Sequence, residues 1–326
     1  MKKKVTIIIP TFSRAKYIKR AINSILNQSY NRYEIIVVDD NNPKSLERKN
    51  MEDIMSQYKD NRYIKYLKHE KNKNGAAARN TGIKNATGDY ITFLDDDDIF
   101  MPDRLEKCVN LLEKNSNYGA VYTSVILTKN GKISGSLEAT NEGNFIKETL
   151  LRKPIIGTGS NMFFRKEVIE DIGYFDETFI RHQDLEYLVR FFKKYKIINL
   201  NEYLVIKDES DRSNVVNVEK SIECRKQFLD KFKREIENLS DNNDIMFLNY
   251  VSLAMLSLYN RNYRCFKKMK MEAKKLRKSN IKINIKYFIG FVIGYINLLK
   301  VRSLISKIKV RRVVGNKMVN RIKKMI

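Results

Sequence analysis

Four short apolar runs, separated by stretches with helical periodicity, dominate the first 115 residues of the chain. The runs cover residues 5–9, 34–38, 63–67 and 90–94, and they are rich in β-branched and aromatic side chains, as buried strands are. Between and after them, apolar residues recur three and four positions apart, which predicts helices over about 15–28, 44–59, 75–86 and 102–113. Strands that alternate with helices form parallel sheets covered on both faces, so the sequence predicts an α/β fold with a mostly parallel sheet.

The pattern changes further along the chain. Strands predicted over 120–127, 162–165 and 197–206 are interleaved with helices predicted over 142–151 and 183–195. Beyond about residue 214 the apolar spacing is helical throughout. We therefore expect a helical carboxyl-terminal region after the sheet.

Positive charge is concentrated at one end of the sequence. The 326 residues carry a net charge of +25, but residues 261–326 contain 21 Lys and Arg and a single acid, Glu272. The preceding 260 residues are close to balance, at +5. Because the body has no general basic surface, we expect no nucleic-acid partner for it.

The cysteines and the amino-terminal residues indicate a reducing compartment. Cys108, Cys224 and Cys265 are odd in number and widely spaced, which argues against a disulfide framework or a zinc site. The apolar run behind Met1–Lys4 is too short for a signal peptide. We therefore expect a cytoplasmic protein.

Polar clusters follow each of the first four predicted strands. They lie at residues 10–14, 39–40, 74–80 and 95–98. Ligands of open α/β sheets bind outside the carboxyl ends of the strands. The four clusters are thus expected to meet at one edge of the sheet and to form a ligand site there.

Four consecutive acids, Asp95 to Asp98, are the most unusual of these clusters. Carboxylates beside a buried strand repel one another unless a cation neutralises them, and oxygen ligands suit Mg²⁺ or Mn²⁺. The alternative is a solvated acidic turn that caps the helix beginning near Pro102. Their position directly after an apolar strand favours the cation.

Arg79 is the notable residue of the third cluster, because a guanidinium at a sheet edge can hold phosphate oxygens. The small residues 75–78 before it fit either close approach to a ligand or plain packing of a helix on the sheet. No glycine-rich phosphate loop of the P-loop or dinucleotide type is present in the sequence.

Motifs in the same order and spacing resemble those of the family 2 glycosyltransferases. They are Val-Thr-Ile-Ile-Ile-Pro-Thr-Phe-Ser-Arg at 5–14, Ile-Val-Val-Asp-Asp at 36–40, Asn-Gly-Ala-Ala-Ala-Arg-Asn at 74–80, the run 88–98 that ends in four aspartates, Gly-Tyr-Phe-Asp-Glu at 173–177, and Gln-Asp-Leu-Glu at 183–186 with Arg190. The resemblance covers residues 4–210. It implies a GT-A (Rossmann-like) fold and an inverting transferase that uses nucleotide sugars.

The resemblance also implies a division of the chain. Residues 1–115 would be the nucleotide-sugar-binding half of the GT-A domain, 116–213 the acceptor-binding half, and 214–326 a helical, basic, membrane-associating region.

Donor-binding roles follow from the resemblance for the loop after the first strand and for the second strand's end. Phe12 would flank the nucleotide base, with Pro10, Thr11 and Arg14 in the same loop. Asp40 would accept a hydrogen bond from uracil, which makes a UDP-sugar the favoured donor.

The acidic run falls on the family's D-x-D element. Asp97 and Asp95 would ligate Mn²⁺ or Mg²⁺, Asp96 would lie near the ribose, and Arg79 near the diphosphate or the donor sugar. Some relatives add a histidine ligand downstream, and here Asp208 is the alternative.

Asp184 falls on the position of the general base. Single displacement at an anomeric carbon needs a base to take the proton of the attacking hydroxyl, and a metal to stabilise the leaving diphosphate. A plain helix-capping role is the alternative, and both can hold together because a helix amino terminus stabilises a carboxylate. His182, two residues earlier, is either structural or on the acceptor side.

The apolar run 287–299 in the basic tail predicts membrane association. Its 13 residues contain one polar side chain, Asn297. As a helix they would span about 20 Å, short of a hydrocarbon core of roughly 30 Å. Flanking Lys and Arg predict an interfacial helix over 281–326 on an anionic surface at the inner face of the cell membrane. A buried bundle helix and nucleic-acid binding are the alternatives.

The sequence thus predicts a metal-assisted, inverting glycosyltransferase that acts on a hydroxyl of a lipid-linked cell-surface glycan precursor. One alternative is a nucleotidyltransferase, which would need a glycine-rich basic loop after the first strand. Another is an inactive GT-A scaffold on a membrane, which would be expected to lack Asp97 or Asp184.

Overall fold

The computed structural model of the protein describes residues 2–153, 155–210, 217–240, 242–277, 283 and 325. The chain forms two compact units. The first consists of Met1–Ile146 with Pro154–Ser210, and the second of Lys147–Lys153 with Asp211–Ile326. The finer division at residues 115 and 213 stays a prediction.

The first unit is built on a sheet of nine strands within the described residues. The strands are β1 (Val5–Thr11), β2 (Tyr33–Asp39), β3 (Ile64–Lys68), β4 (Tyr90–Phe93), β5 (Ile99–Phe100), β6 (Ala120–Lys129), β7 (Lys132–Leu137), β8 (Phe163–Arg165) and β9 (Ile197–Asp208). Their order is β3-β2-β1-β4-β8-β6-β9-β5, and β7 pairs with β6. The first four strands are parallel, as are β6 and β9, while β8, β5 and β7 pair in the antiparallel sense.

Helices lie between and after the strands. They are α1 (Ala15–Leu26), α2 (Leu46–Met55), α3 (Gly75–Asn85), α4 (Arg104–Lys114), α5 (Ile146–Leu150), α6 (Lys166–Ile172), α7 (Gln183–Phe192), α8 (Val218–Lys231), α9 (Lys233–Glu237), α10 (Asn242–Tyr259) and α11 (Tyr263–Leu276), with short 3-10 turns at Ser56–Tyr58 and Gly159–Asn161. The predicted α/β class and the predicted helical carboxyl-terminal region are confirmed. The sequence pattern did not predict β5, β7 or α6.

Alternate residues of the central strand β1 point into two separate cores. Val5, Ile7 and Ile9 pack with residues of α1, α2 and α4, whereas Ile8 packs with residues of α3 and α7. This is the period of two expected for a strand buried on both faces. Each fully buried Val or Ile contributes about 1.5–3 kcal/mol, so the two cores fix which side chains face which helix layer.

The second unit has its own apolar core, formed by residues of α8, α10 and α11 such as Val218, Phe247 and Met269. Buried Asn249 of α10 donates its amide to the carbonyl of Leu150, 3.0 Å away, and so joins the short stretch Lys147–Lys153 to the helices. Among the residues that the structure describes, we find no helix with the length and apolarity needed to span a membrane. The predicted interfacial segment 281–326 lies outside the described residues, except for 283 and 325.

Candidate active site

Thr11, the last residue of β1, is hydrogen bonded to the segments that follow both neighbouring strands. The hydroxyl of Thr11 donates to Asp96 Oδ2 over 2.7 Å, and its carbonyl accepts the backbone N–H of Asp40 over 2.9 Å. This geometry follows from the parallel pairing of β1 with β2 and β4, which brings three carboxyl ends to one edge. The structure therefore brings three of the predicted polar clusters together.

Two arginines hold the acidic loop, Arg14 at the cap position before α1 and Arg20 in the middle of that helix. Arg14 Nη1 donates to Asp97 Oδ2 and lies 3.5 Å from Asp96 Oδ1. Arg20, which the sequence did not single out, donates from Nη2 to the carbonyl of Asp97 over 2.7 Å and to Asp208 Oδ2 over 2.8 Å. The first helix thus clamps the acidic loop to the end of β9.

The acidic run is not a solvated turn. Asp96 is 4% and Asp98 is 1% exposed, and α4 is capped at Asp103 rather than by any of the four acids. Burial raises the pKa of Asp96 to about 7, against the opposing effect of the Thr11 hydrogen bond. The alternative interpretation of the run as a solvated cap is therefore wrong.

Asp98 is held by hydrogen bonds from the 3-10 turn at Gly159–Asn161 and from the residue before it. It accepts hydrogen bonds from the hydroxyl of Ser160 over 2.6 Å and of Thr158 over 3.1 Å, and burial raises its pKa. Ser160 Oγ also accepts the backbone N–H of Asp95 over 3.0 Å. Arg104, fully buried, donates to the carbonyl of Ser160 over 3.3 Å. This support was missed because it joins segments about 60 residues apart.

The donor chemistry of Asp95 and Asp97 fits a divalent cation. Burial and the charge of Asp95 raise the pKa of Asp97, which is the repulsion that a bound cation relieves. Mg²⁺ is commonly held by one or two carboxylates together with substrate phosphates. The described residues contain no group of three or more His, Cys, Asp and Glu arranged as a metal cluster, so the fit rests on these two carboxylates.

Asp208 is next to this pair but already engaged. Its Oδ2 accepts from Arg20 and its Oδ1 accepts the backbone N–H of Ser210 over 2.9 Å. Although burial opposes it, these hydrogen bonds lower the pKa of Asp208, and its charge contributes to the raised pKa of Asp97. The structure therefore places the alternative third ligand near the acidic loop as a partner of Arg20.

Asp40 lies in a set of donors on the β2 side. Its Oδ1 accepts from His69 Nδ1 over 2.7 Å and from the backbone N–H of Lys73 over 2.9 Å, and its Oδ2 accepts from Asn72 Nδ2 over 2.8 Å. The preceding Asp39 is instead fully buried against Arg48 and Tyr66. The two adjacent carboxylates thus have separate surroundings. Asp40 is bound by residues of the segment before α3, including Asn72 and Lys73.

The aromatic side chain of the first loop is at the surface. Phe12 is 48% exposed, as a ring that stacks on a ligand would be before binding. Pro10 lies within β1, opposite Val38 of β2, where it shapes the strand end rather than the loop.

Arg79 connects the acidic loop to the start of α7. Its Nη2 donates to Asp95 Oδ1 over 2.7 Å and its Nη1 donates to Gln183 Oε1 over 3.1 Å. Asp184 is the second residue of α7 and is partly exposed, and its Oδ1 accepts the backbone N–H of Leu185 over 2.9 Å. Hydrogen bonds among the described residues link Asp184 to the acidic loop through its neighbour Gln183, not directly.

The capping position of α7 is held by His182 in the left-handed backbone region, at φ 66°. Asp184 therefore sits in the first turn, where the helix dipole stabilises a carboxylate, and not at the cap itself.

Known proteins share parts of this sequence and its fold. The family model described as glycosyl transferase family 2 matches residues 6–173, which is more than half of the chain. An uncharacterized glycosyltransferase of Rickettsia felis is 40% identical over 35% of this chain, and the chain spans only 18% of that protein's length. The Escherichia coli UDP-Glc:alpha-D-GlcNAc-diphosphoundecaprenol beta-1,3-glucosyltransferase WfgD is 34% identical over 44% of this chain and 54% of the relative. The Staphylococcus aureus poly(ribitol-phosphate) beta-N-acetylglucosaminyltransferase TarP is 29% identical over 67% of each chain.

Solved structures show the same fold. S. aureus TarS in complex with UDP-GlcNAc matches 99% of this chain and 90% of its own, with a TM-score of 0.59 at 19% identity. The mannosyltransferase PcManGT of Pyrobaculum calidifontis, solved with GDP-Man and Mn²⁺, matches 95% of this chain and 87% of its own, with a TM-score of 0.55 at 17% identity. The predicted GT-A architecture with a helical carboxyl-terminal region is confirmed.

Proposed function

The chain belongs to glycosyl transferase family 2, and from that membership we propose that it transfers a sugar from a nucleotide sugar to an acceptor hydroxyl with inversion at the anomeric carbon. The observation that carries the proposal is the position of Arg79. It joins Asp95 of the acidic loop to the residue preceding Asp184, so one guanidinium spans the proposed donor and base elements.

The donor in this proposal is a UDP-sugar. Asp40 and the exposed ring of Phe12 bind the base, with Pro10 and Thr11 shaping the strand end between them, while Asp96 lies towards the ribose. Relatives support a uridine nucleotide, since the E. coli relative is named for UDP-Glc and TarS was solved with UDP-GlcNAc. Arg14 and Arg79 supply positive charge beside the diphosphate.

Inversion in one step needs one base and stabilisation of one leaving group. Asp184 takes the proton of the acceptor hydroxyl. The hydroxyl oxygen attacks the anomeric carbon as the bond from that carbon to the diphosphate breaks. Asp97 and Asp95 would hold Mn²⁺ or Mg²⁺, and the ion would offset the negative charge of the leaving diphosphate. Partial exposure of Asp184 leaves its carboxylate accessible to an acceptor.

We propose a lipid-linked glycan precursor as the acceptor and the inner face of the cell membrane as the place of action. The E. coli relative is named for a diphosphoundecaprenol-linked acceptor and TarP for poly(ribitol-phosphate). Ten Lys and Arg between residues 300 and 324 follow the apolar run 287–299 in the sequence. Each adds about 1 kcal/mol of attraction near an anionic leaflet, so peripheral attachment is expected.

The test is Asp184→Asn compared with Asp53→Asn, an exposed aspartate on α2 that serves as the matched control. Loss of a general base should lower kcat by about 10²–10⁴-fold, while the Kd for the nucleotide sugar, measured by calorimetry, stays within about twofold because Asp184 does not hold the donor. Equal turnover in the two variants would refute the base assignment. If the wild-type protein binds nucleotide sugars but transfers none of them to any acceptor, the inactive-scaffold alternative is favoured.

A further inference from the structure

Gln183, the residue before the proposed base, lies where the start of α7 meets α3 and the segment that precedes α7. Its Oε1 accepts from Arg79 Nη1 over 3.1 Å, and its Nε2 donates to the carbonyl of Phe179 over 2.8 Å. Both ends of the amide are therefore committed, which fixes its orientation. Gly75, the first residue of α3, makes room for the contact, because a Cβ there would lie 3.1 Å from Arg79 Nη1 and 3.2 Å from Gln183 Oε1.

The charged partner of Arg79 is Asp95 and not Gln183. Its Nη2 forms an ion pair with Asp95 Oδ1 at 2.7 Å. Its Nη1 donates to neutral acceptors among the described residues, the amide of Gln183 and the carbonyl of Gly75 at 3.3 Å. A carboxylate in place of the amide would share the guanidinium with Asp95 and add one negative charge to the junction. The neutral residue therefore leaves the positive charge for Asp95 and for an anionic ligand.

We propose that Gln183 is a positioning residue that sets how Arg79 is shared between the acidic loop and the diphosphate of the donor. This inference rests on the proposed function for the identity of the anion. The acceptor oxygen of Gln183 holds the guanidinium in place and ties it to the first turn of α7. Because Gln183 is neutral, the site binds a nucleoside diphosphate more tightly in the absence of a cation than it would with a carboxylate at this position. The same neutrality makes the affinity for the cation lower than a carboxylate would.

Two substitutions separate the acceptor from the charge. Gln183→Met is close in size but cannot accept from Arg79, so the link between α7 and the acidic loop is lost. Gln183→Glu keeps an acceptor oxygen and adds a charge. Gln57→Glu, an exposed glutamine remote from the junction, is the matched control for the added charge.

Binding measurements test the charge without turnover. In calorimetry with UDP and no divalent cation, Gln183→Glu should raise the Kd about threefold to tenfold relative to Gln57→Glu, because a negative charge is added beside Arg79. Titration of Mn²⁺ in the presence of saturating UDP, followed by electron paramagnetic resonance, should show tighter Mn²⁺ binding in the same variant. Unchanged UDP and Mn²⁺ affinities would overturn the charge role.

Turnover tests the positioning. Gln183→Met should lower kcat about tenfold with a smaller change in the donor KM, and Gln183→Glu should recover most of that kcat because it restores an acceptor. Wild-type kcat in Gln183→Met, or no recovery in Gln183→Glu, would overturn the positioning role. If wild-type protein binds no nucleoside diphosphate at all, the proposed function fails, whatever the variants do.

Discussion

Gly82 lets α3, the helix that carries Arg79, lie directly against β1. Its replacement by alanine tests whether the close approach of helix and strand depends on the missing Cβ. A Cβ atom at residue 82 would lie 2.3 Å from Cγ2 and 2.9 Å from Cγ1 of Ile8, well inside van der Waals contact. Ile8 is fully buried and β-branched, so neither γ carbon can move aside without a rotamer change in a packed core. The helix would have to lift from the strand.

The expected cost follows from two opposing effects. Overpacking a core costs about 1–3 kcal/mol, while alanine is favoured over glycine in a helix by about 0.8–1 kcal/mol. Because both γ carbons are approached below 3.0 Å, we take the overpacking at its upper limit and expect a net loss of about 2 kcal/mol. Gly82→Ala should then lower the midpoint of thermal unfolding by about 4–8 °C, followed by circular dichroism.

A second substitution at Ile8 decides whether the clash is the cause. Ile8→Ala removes both γ carbons, so adding Gly82→Ala to it should stabilise the protein by about 0.8–1 kcal/mol through helix propensity alone. Ile8→Val keeps both γ carbons and should give no relief, which makes it the matched control. If Gly82→Ala costs the same in the Ile8→Ala and Ile8→Val backgrounds, the steric reasoning is wrong.

Two further predictions concern stability and location. The hydroxyl of buried Tyr187 has no hydrogen-bond partner among the described residues, and burial raises its pKa. Tyr187→Phe should therefore stabilise the protein by about 1 kcal/mol in thermal unfolding, and a destabilised variant would reveal a partner for the hydroxyl. Deletion of residues 281–326 should abolish sedimentation with phosphatidylglycerol vesicles while leaving UDP affinity unchanged. Undiminished binding to the vesicles would place the attachment elsewhere.

The sequence predicted the parallel half of the sheet because local pattern determines it. Alternation along residues 5–9 places successive side chains on opposite faces, and the polar residues after each strand must then share an edge. The proximity of Thr11 to Asp96 is a direct result of that rule. Convergence of the clusters could thus be predicted without any knowledge of individual contacts.

Other features depend on partners that are distant in sequence. Asp39 and Asp40 are adjacent and chemically identical, and residues from later segments, such as Arg48 beside Asp39 and His69 beside Asp40, distinguish their surroundings. The hydrogen bond between Arg79 and Gln183 joins residues 104 positions apart. The two-residue strand β5 is too short to show any periodicity. Such features require the folded chain, since no local pattern encodes which distant residue completes them.

The second unit is discontinuous, because the stretch Lys147–Lys153 interrupts the first unit in sequence but belongs to the helices. Leu150 is fully buried there, and the side chain that binds its carbonyl, Asn249, lies 99 residues further along. During synthesis the stretch therefore emerges well before Asn249 of α10 can bind it. A chain released at residue 210 would contain all nine strands of the described sheet, yet the carbonyl of Leu150 would lack the hydrogen bond that Asn249 donates. The short stretch can thus reach its final surroundings only after the later helices have been synthesised, which makes folding of the second unit wait for the end of translation.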